Sequence, residues 1–176
     1  SPEDRVTGAP RRTPTLYGHL MDTAPFHWDG DMHDFGMLTS EVFTHRMGGA
    51  TLSSAQVNAM SHWLDTIGTP PALAVDATSA ERGRTLFEDP SVGCASCHSG
   101  AKFTNNSSIN VGTGGTFQVP SLVGVHTRSP WLHNGCAPTL ADRFTNPACG
   151  GGEQHGHTAH LTPDQIGDLV AYLQTL

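Results

Sequence analysis

The sequence predicts an all-α fold with long loops, and three observations carry that expectation. Apolar residues recur at helical spacing in two well-separated segments, Val57, Met60, Leu64 and Ile67 in one and Ile166, Leu169, Val170 and Leu173 in the other. Between them stands the pentapeptide Cys94-Ala95-Ser96-Cys97-His98. An ordered series of short motifs also occurs twice, at separations of 105 to 109 residues.

The pentapeptide organises the rest. Two cysteines separated by two residues and followed by histidine are what covalent haem attachment requires: each thiol forms a thioether to one vinyl group, and the adjacent imidazole reaches the iron. A zinc site would want a second Cys/His pair at matching spacing, and none follows closely. One covalent haem c on Cys94 and Cys97, with His98 as proximal ligand, is therefore the expected cofactor.

Composition agrees. The hydrophobic fraction is 36%, with 20 glycines and 12 prolines, which suits a small domain whose porphyrin serves as core. Nine basic residues against sixteen acidic ones leave a net charge of -7, which argues against a nucleic-acid binder. No apolar run approaches the length that spans a bilayer. The other two of the four cysteines, Cys136 and Cys149, are free to form a disulfide across a 12-residue insert. Thioether and disulfide both suit the periplasm or the cell exterior. The chain opens Ser1-Pro2-Glu3-Asp4-Arg5 without a leader pattern, as expected of a processed chain or a fragment.

Taken in order, residues 1 to 12 read as a polar arm, and 13 to 49 are rich in turn formers with little periodicity. A helix is expected from about Ser53 to Thr66, capped by Ser53 or Ser54 and closed by Gly68-Thr69-Pro70-Pro71. A second is expected from about Ser79 to Phe87, delivering the chain to Cys94, and a last one from Thr162 to Leu176. The run Gly112-Thr113-Gly114-Gly115 lacks the Lys-Ser/Thr of a phosphate loop and reads as a tight loop near the haem edge.

The repeat sets the domain organisation. Thr13-Pro14-Thr15-Leu16-Tyr17-Gly18 is echoed by Val119-Pro120-Ser121-Leu122-Val123-Gly124, and Ala24-Pro25-Phe26-His27-Trp28-Asp29-Gly30 by Ser129-Pro130-Trp131-Leu132-His133-Asn134-Gly135. Only the second copy follows a haem motif. The reading is a complete mono-haem domain over 76–176, preceded over 1–70 by the tail of a sibling domain lacking its own haem motif.

The second iron ligand is open among several residues. The last methionine in the chain is Met60, so no methionine within 76–176 can serve. His155 lies six residues before Leu161, as Met47 lies five before Leu52, which makes His155 the favoured distal ligand and Met47 the corresponding ligand of the missing haem. His157, an open position, or Met47 borrowed from the first segment are the alternatives. Arg128 and Arg143 are candidate propionate partners, and Trp131 and Phe103 candidate haem-packing aromatics. His126 and His133 read as loop residues bonded to backbone.

These motifs together resemble the di-haem cytochrome c peroxidase and methylamine-utilisation superfamily. The resemblance rests on Glu81-Arg82-Gly83-Arg84-Thr85-Leu86-Phe87 before the haem motif, on Gly112-Thr113-Gly114-Gly115, Val119-Pro120-Ser121-Leu122 and Ser129-Pro130-Trp131-Leu132-His133-Asn134-Gly135, and on the closing helix. It implies a cytochrome c-like haem domain in a periplasmic protein, where one haem relays electrons and another, in a partner domain, handles peroxide or substrate. It also implies an interdomain calcium, for which no ligands are assigned. With one haem motif and His155 in place of the family's usual methionine, the chain departs from that pattern. Electron transfer by a bis-His haem, with a redox partner protein or missing upstream haem domain, is the expected function. The alternative is a peroxidase-like haem oxidoreductase or its electron-feeding domain, in which His157 or Glu153 would supply acid/base chemistry.

Overall fold

In a computed structural model, described over residues 11–176, the chain is mainly helical with long loops, as the sequence predicts. Residues 1–10 of the expected arm lie outside the described residues. Five α-helices are present: α1 Phe35–Leu38, running on as a π-helix over Thr39–Arg46, α2 Ser54–Asp65, α3 Ala77–Glu88, α4 Leu140–Thr145 and α5 Pro163–Leu173. A two-stranded antiparallel ribbon joins β1 Ser108–Asn110 to β2 Thr116–Gln118, with Ile109 opposite Phe117.

The expected helices form, with caps that explain their starts. Ser53 and Gln56 make a capping box on α2, and Thr162 and Gln165 make the same box on α5. Helix α3 begins two residues earlier than expected because Asp76 accepts the Ser79 amide at 2.7 Å. The apolar stripe of α5 is buried at Ile166, Leu169 and Leu173, joined by Tyr172. The stripe of α2 splits: Leu64 is buried, whereas Met60 and its neighbour Trp63 are 40% and 63% exposed.

Three elements were not anticipated, the shortest of the helical ones being α4, which a capping box of Thr139 and Asp142 starts. The α1–π segment carries Gly36 and no continuous apolar stripe; Asp34, accepting the Met37 amide at 2.7 Å, starts it, and burial of Phe35 and Thr39 holds it. The strands of the β ribbon flank the run Gly112-Thr113-Gly114-Gly115, which is the tight loop expected from the sequence and joins them. Its three-residue strands are too short for a periodic signal, and the adjacent Phe117 and Gln118, on opposite faces of β2, are both buried, so no polar–apolar alternation marks it.

The chain buries two apolar clusters, one around Phe26, Met32, Phe35 and Leu64, the other around Phe87, Phe144, Leu169 and Tyr172. The sequence repeat is also a repeat of local structure. Phe26 bridges Met32 as Trp131 bridges Ala137. The Gly18 amide donates to Ile67 as the Gly124 amide donates to Leu176, at 3.1 and 2.7 Å. Lys102 Nζ reaches the Gly18 carbonyl at 2.7 Å, and the Gln118 amide reaches Trp28 at 2.8 Å, tying the copies together.

Helices α3 and α5 form the main pairing. A Cβ on Gly83 would fall 1.9 Å from the Asp168 carbonyl oxygen, so the absent side chain is what lets the two backbones touch. One residue away, Arg82 holds the Asp168 carboxylate with two hydrogen bonds of 2.7 Å, which lower its pKa. Gly83→Ala is expected to cost about 1–3 kcal/mol of unfolding free energy by overpacking, read by urea denaturation. The depressed folded pKa of Asp168 means that its contribution is present above the unfolded value and lost as pH falls through the folded one. Asp168→Asn should therefore flatten the decline of thermal stability below about pH 4, measured by melting curves against pH.

Candidate functional site

Helix α3 ends at Glu88, and a short loop through the left-handed Gly93 leads into a 3-10 turn over Cys94–Ser96. The His98 amide closes this turn on the Cys94 carbonyl at 2.9 Å. Local hydrogen bonding thus presents Cys94, Cys97 and His98 on one wall of a cavity of about 180 Å³. Both thiols are half-buried and unpaired, and burial pushes the Cys94 thiol pKa up. The rest of the wall is largely apolar, from Phe87, Leu122 and Val125 to Leu169 and Leu173 on α5.

Burial lowers the pKa of His98 to about 4, so it is neutral at physiological pH. Its Nδ1 lies 3.0 Å from the Phe103 carbonyl and, in the neutral ring, donates to it. That bond leaves Nε2 as the unprotonated nitrogen, the tautomer a metal needs. His155 faces it, with ring centroids 6.1 Å apart and planes inclined by 28°. Burial holds the His155 pKa well below its usual value, and its Nδ1 is buried without a partner. The rival His157 is exposed and binds Glu153 Oε2 at 2.8 Å, off the cavity wall.

The loop that presents His155 is stapled at its start by a disulfide between Cys136 and Cys149, the pairing expected from the sequence. Backbone bonds complete the frame, from the Gly152 amide to Phe144 at 3.1 Å and from the His157 amide to Val92 at 2.9 Å. Arg143 is buried under this loop, where Nη2 donates to the His155 carbonyl and Nη1 has no partner. Desolvation pushes its pKa down to about 10.

The remaining candidates divide. Trp131 is on the wall, with its indole N–H donating to the Val125 carbonyl at 2.9 Å. Arg128 is on the wall too, donating through Nη1 to the Ser121 carbonyl at 2.7 Å and through Nη2 to that of Val123, while its Nε is buried unpaired. Phe103 is not on the wall; its ring packs edge-on against Phe87 at 6.2 Å, and it serves the site through its carbonyl. His133 lines the cavity, stacked on Phe117 at 3.9 Å, with Nε2 at 2.9 Å from the Thr113 carbonyl. Met47 is 71% exposed. Sequence reasoning missed Arg12 and Trp28, which reach the wall from the first copy. Trp28 lies in a repeated motif opposite His133, and that correspondence was the available signal; Arg12, in a polar arm, had none.

The cytochrome c family model matches residues 80–176, the segment that builds most of this cavity. The chain belongs to the cytochrome c family. Among curated relatives, this cytochrome c is 27% identical over 143 aligned positions to hydrazine synthase subunit gamma of Kuenenia stuttgartiensis, covering 54% of this chain and 40% of that one. It is 27% identical over 134 positions to the methylamine utilization protein MauG of Methylorubrum extorquens, covering 62% and 37%. The chain thus spans about two fifths of the length of these relatives. In fold it matches the solved K. stuttgartiensis hydrazine synthase with a TM-score of 0.81 at 22% identity, covering 96% of this chain and 73% of that one. A MauG-like protein associated with microbial copper homeostasis matches at 0.71 and 17%, with the same coverage. These matches bear out the resemblance to the di-haem peroxidase and methylamine-utilisation superfamily. They place the cytochrome among c-type haem proteins of electron-transfer or peroxidase-like type.

The cavity suits a c-type haem on its own chemistry: paired free thiols, two neutral imidazoles, an apolar wall, and buried guanidinium nitrogens awaiting acceptors. Removal of the disulfide by Cys136→Ser should lower unfolding free energy by about 3 kcal/mol in the chain-entropy account, read by denaturant melts with and without reductant.

Proposed function

We propose that this cytochrome c is the electron-feeding domain of a peroxidase-like haem oxidoreductase, carrying one covalent haem on Cys94 and Cys97 with His98 and His155 as its axial pair. The observation that carries this reading is the opposition of the two rings at 6.1 Å. First-row metal–imidazole bonds are about 2 Å long, so two imidazoles on one metal have their ring centres roughly 6 Å apart. The group, when bound, supplies one-electron chemistry between ferric and ferrous iron. The chain's part is orientation: the Phe103 carbonyl fixes one ring, Arg143 fixes the backbone of the other, and the apolar wall excludes water.

With both axial positions filled by side chains, peroxide has no open site here. Substrate or peroxide chemistry therefore belongs to a partner, and the named activities of the relatives, hydrazine synthase and methylamine utilisation, favour that oxidoreductase setting over free-standing electron transfer. The partner is a redox protein or an upstream haem domain. Periplasmic or extracellular placement is part of the proposal, supported by the disulfide.

Residues 76–176 are read as the complete mono-haem domain and 1–70 as the back half of a sibling. The two copies differ in support of this. Leu169 and Tyr172 are 0% and 9% exposed beneath α3 and the cavity, while Met60 and Trp63, at the matching positions of α2, are bare. A face that is apolar and uncovered in one copy, and covered by a helix and the cofactor cavity in the other, fits a domain whose front half lies elsewhere.

The ferric protein, matured in a host that attaches haem c, should show a low-spin bis-His spectrum. His155→Ala should convert it to high spin, and His157→Ala should leave it unchanged. A wild-type protein that is high-spin at rest and reacts rapidly with peroxide would defeat the axial assignment.

A further inference from the structure

The cavity carries its charge at two separate ends. Arg143 interacts with Cys94, His98 and His155, which places it at the thioether end beside the axial pair. Arg128 has a different neighbour, the guanidinium of Arg12, and that like charge adds to the desolvation of Arg128. No acidic side chain lines this cavity among the described residues, and none lines the adjoining cavity of about 90 Å³ whose wall Arg12 and Arg128 share.

Two cations that share both walls without an anion, Arg128 desolvated and Arg12 half-buried, are an incomplete arrangement, because a buried charge needs a partner. Arg128 is held in place by the carbonyls of Ser121 and Val123, yet its Nε is buried with nothing to donate to. Arg12 is held just as firmly through its backbone: its amide donates to His133 at 2.8 Å, and its carbonyl accepts the Trp28 indole N–H at 2.6 Å. Its side chain packs over Gly135, where a Cβ would meet it at 3.7 Å. A c-type haem has vinyl groups on one edge and two propionates on the opposite edge. Cys94 and Cys97 fix the first edge, so the carboxylates fall at the end away from the cysteines.

We infer that Arg12 and Arg128 are the receiving pair for the two haem propionates, so that haem insertion fastens the leading segment of the chain onto the haem domain. The inference rests on the haem c assignment made above and adds to it the residues that read the carboxylate edge. Arg128 supplies a fixed donor from the haem domain itself. Arg12 comes from the other copy of the repeat and closes the site from outside. The cofactor thereby adds to the contacts that already join the two parts of the chain, such as the hydrogen bonds of the Lys102 ammonium to the Gly18 carbonyl and of the Gln118 side-chain amide to the Thr23 carbonyl.

The test uses the haem-loaded chain and follows its reduction potential from pH 5 to 9 by visible spectra. Other charged or titratable groups facing this end are Arg11, whose guanidinium lies 5.3 Å over Phe117, His133, Asp29, which acts on His133, and Tyr17 and His27, which line the adjoining cavity. His98, His155 and Arg143 face the opposite end. Burial lowers the His133 pKa, so it is neutral through most of this range. Arg12→Gln should raise propionate proton affinity about tenfold, moving the pH-dependent limb of the potential up by about one unit. Arg12→Lys should restore most of the wild-type profile. Arg84→Gln, which removes an exposed cation of α3 away from the cavity wall, should leave it unchanged. Arg128→Gln should speed tryptic cleavage after Arg11 and Arg12 in protein that keeps its wild-type ferric spectrum. Superimposable profiles for Arg12→Gln and wild type, on an intact low-spin haem, would overturn the propionate pair and leave the axial assignment standing. Failure of the wild-type chain to attach haem would overturn both.

Discussion

Close contact between α3 and α5 is the constraint on which the rest depends. Gly83 removes the one side chain that would hold the helices apart, and the Arg82–Asp168 pair locks their register a residue away. Because α3 leads through only a short loop into the cysteine turn, the crossing decides where Cys94 and Cys97 stand. Because α5 supplies Leu169 and Leu173, it also decides what they face. The cavity is the space left between a fixed helix pair and the loops that return to it. Its ceiling, the His155 loop, has little regular structure of its own and is held by the disulfide, Arg143 and backbone bonds to Val92 and Phe144.

What the sequence made legible follows from how local each signal is. The haem motif, the three long helices and their caps depend on spacings within a dozen residues, and they are found where expected. The repeat was legible because turn residues recur in order, and its two copies share backbone bonds as well as letters. The β ribbon and the α1–π segment were not, since three-residue strands and a helix without an apolar stripe leave no periodicity to read. The site divided in the same way. Cys94, Cys97 and His98 are fixed by one turn, whereas choosing between His155 and His157 depends on which way a glycine-rich loop faces. The intended role of Phe103 was read from its ring, while the structure employs its carbonyl. Arg12 gave no signal because its meaning arises only from contact with a segment more than a hundred residues away.

The electrostatics of the cavity are those of a site prepared for metal and carboxylates together. Burial neutralises His98 and His155, removing the charge that would repel a cation and exposing the lone pairs that would bind it. The same burial leaves guanidinium groups charged, since even a pKa lowered to about 10 keeps Arg128 and Arg143 protonated at neutral pH. Neutral donors and permanent cations in one apolar pocket are costly without ligands, and each hydrogen-bonding atom left unpaired adds to the cost. The proposed haem would answer both demands, its iron meeting the imidazoles and its propionates the guanidinium groups.

The proposed pairing of His98 and His155 also bears on the kind of oxidoreductase such a domain would serve. An open or weakly held distal position is needed where peroxide binds, and the His155 loop is built the other way. The disulfide fixes its start, Arg143 pins the ligand's own carbonyl, and Thr158 is buried with its amide on Gly152 at 2.7 Å. Releasing His155 would break that set of contacts and expose a buried cation. A loop so restrained would hold His155 in place whether the proposed iron were oxidised or reduced, which suits electron relay. The first copy has the opposite character, with Met47 exposed and the α2 face uncovered. Under the proposed function, chemistry on substrate belongs beside that uncovered half rather than in the cavity that His98 and His155 line.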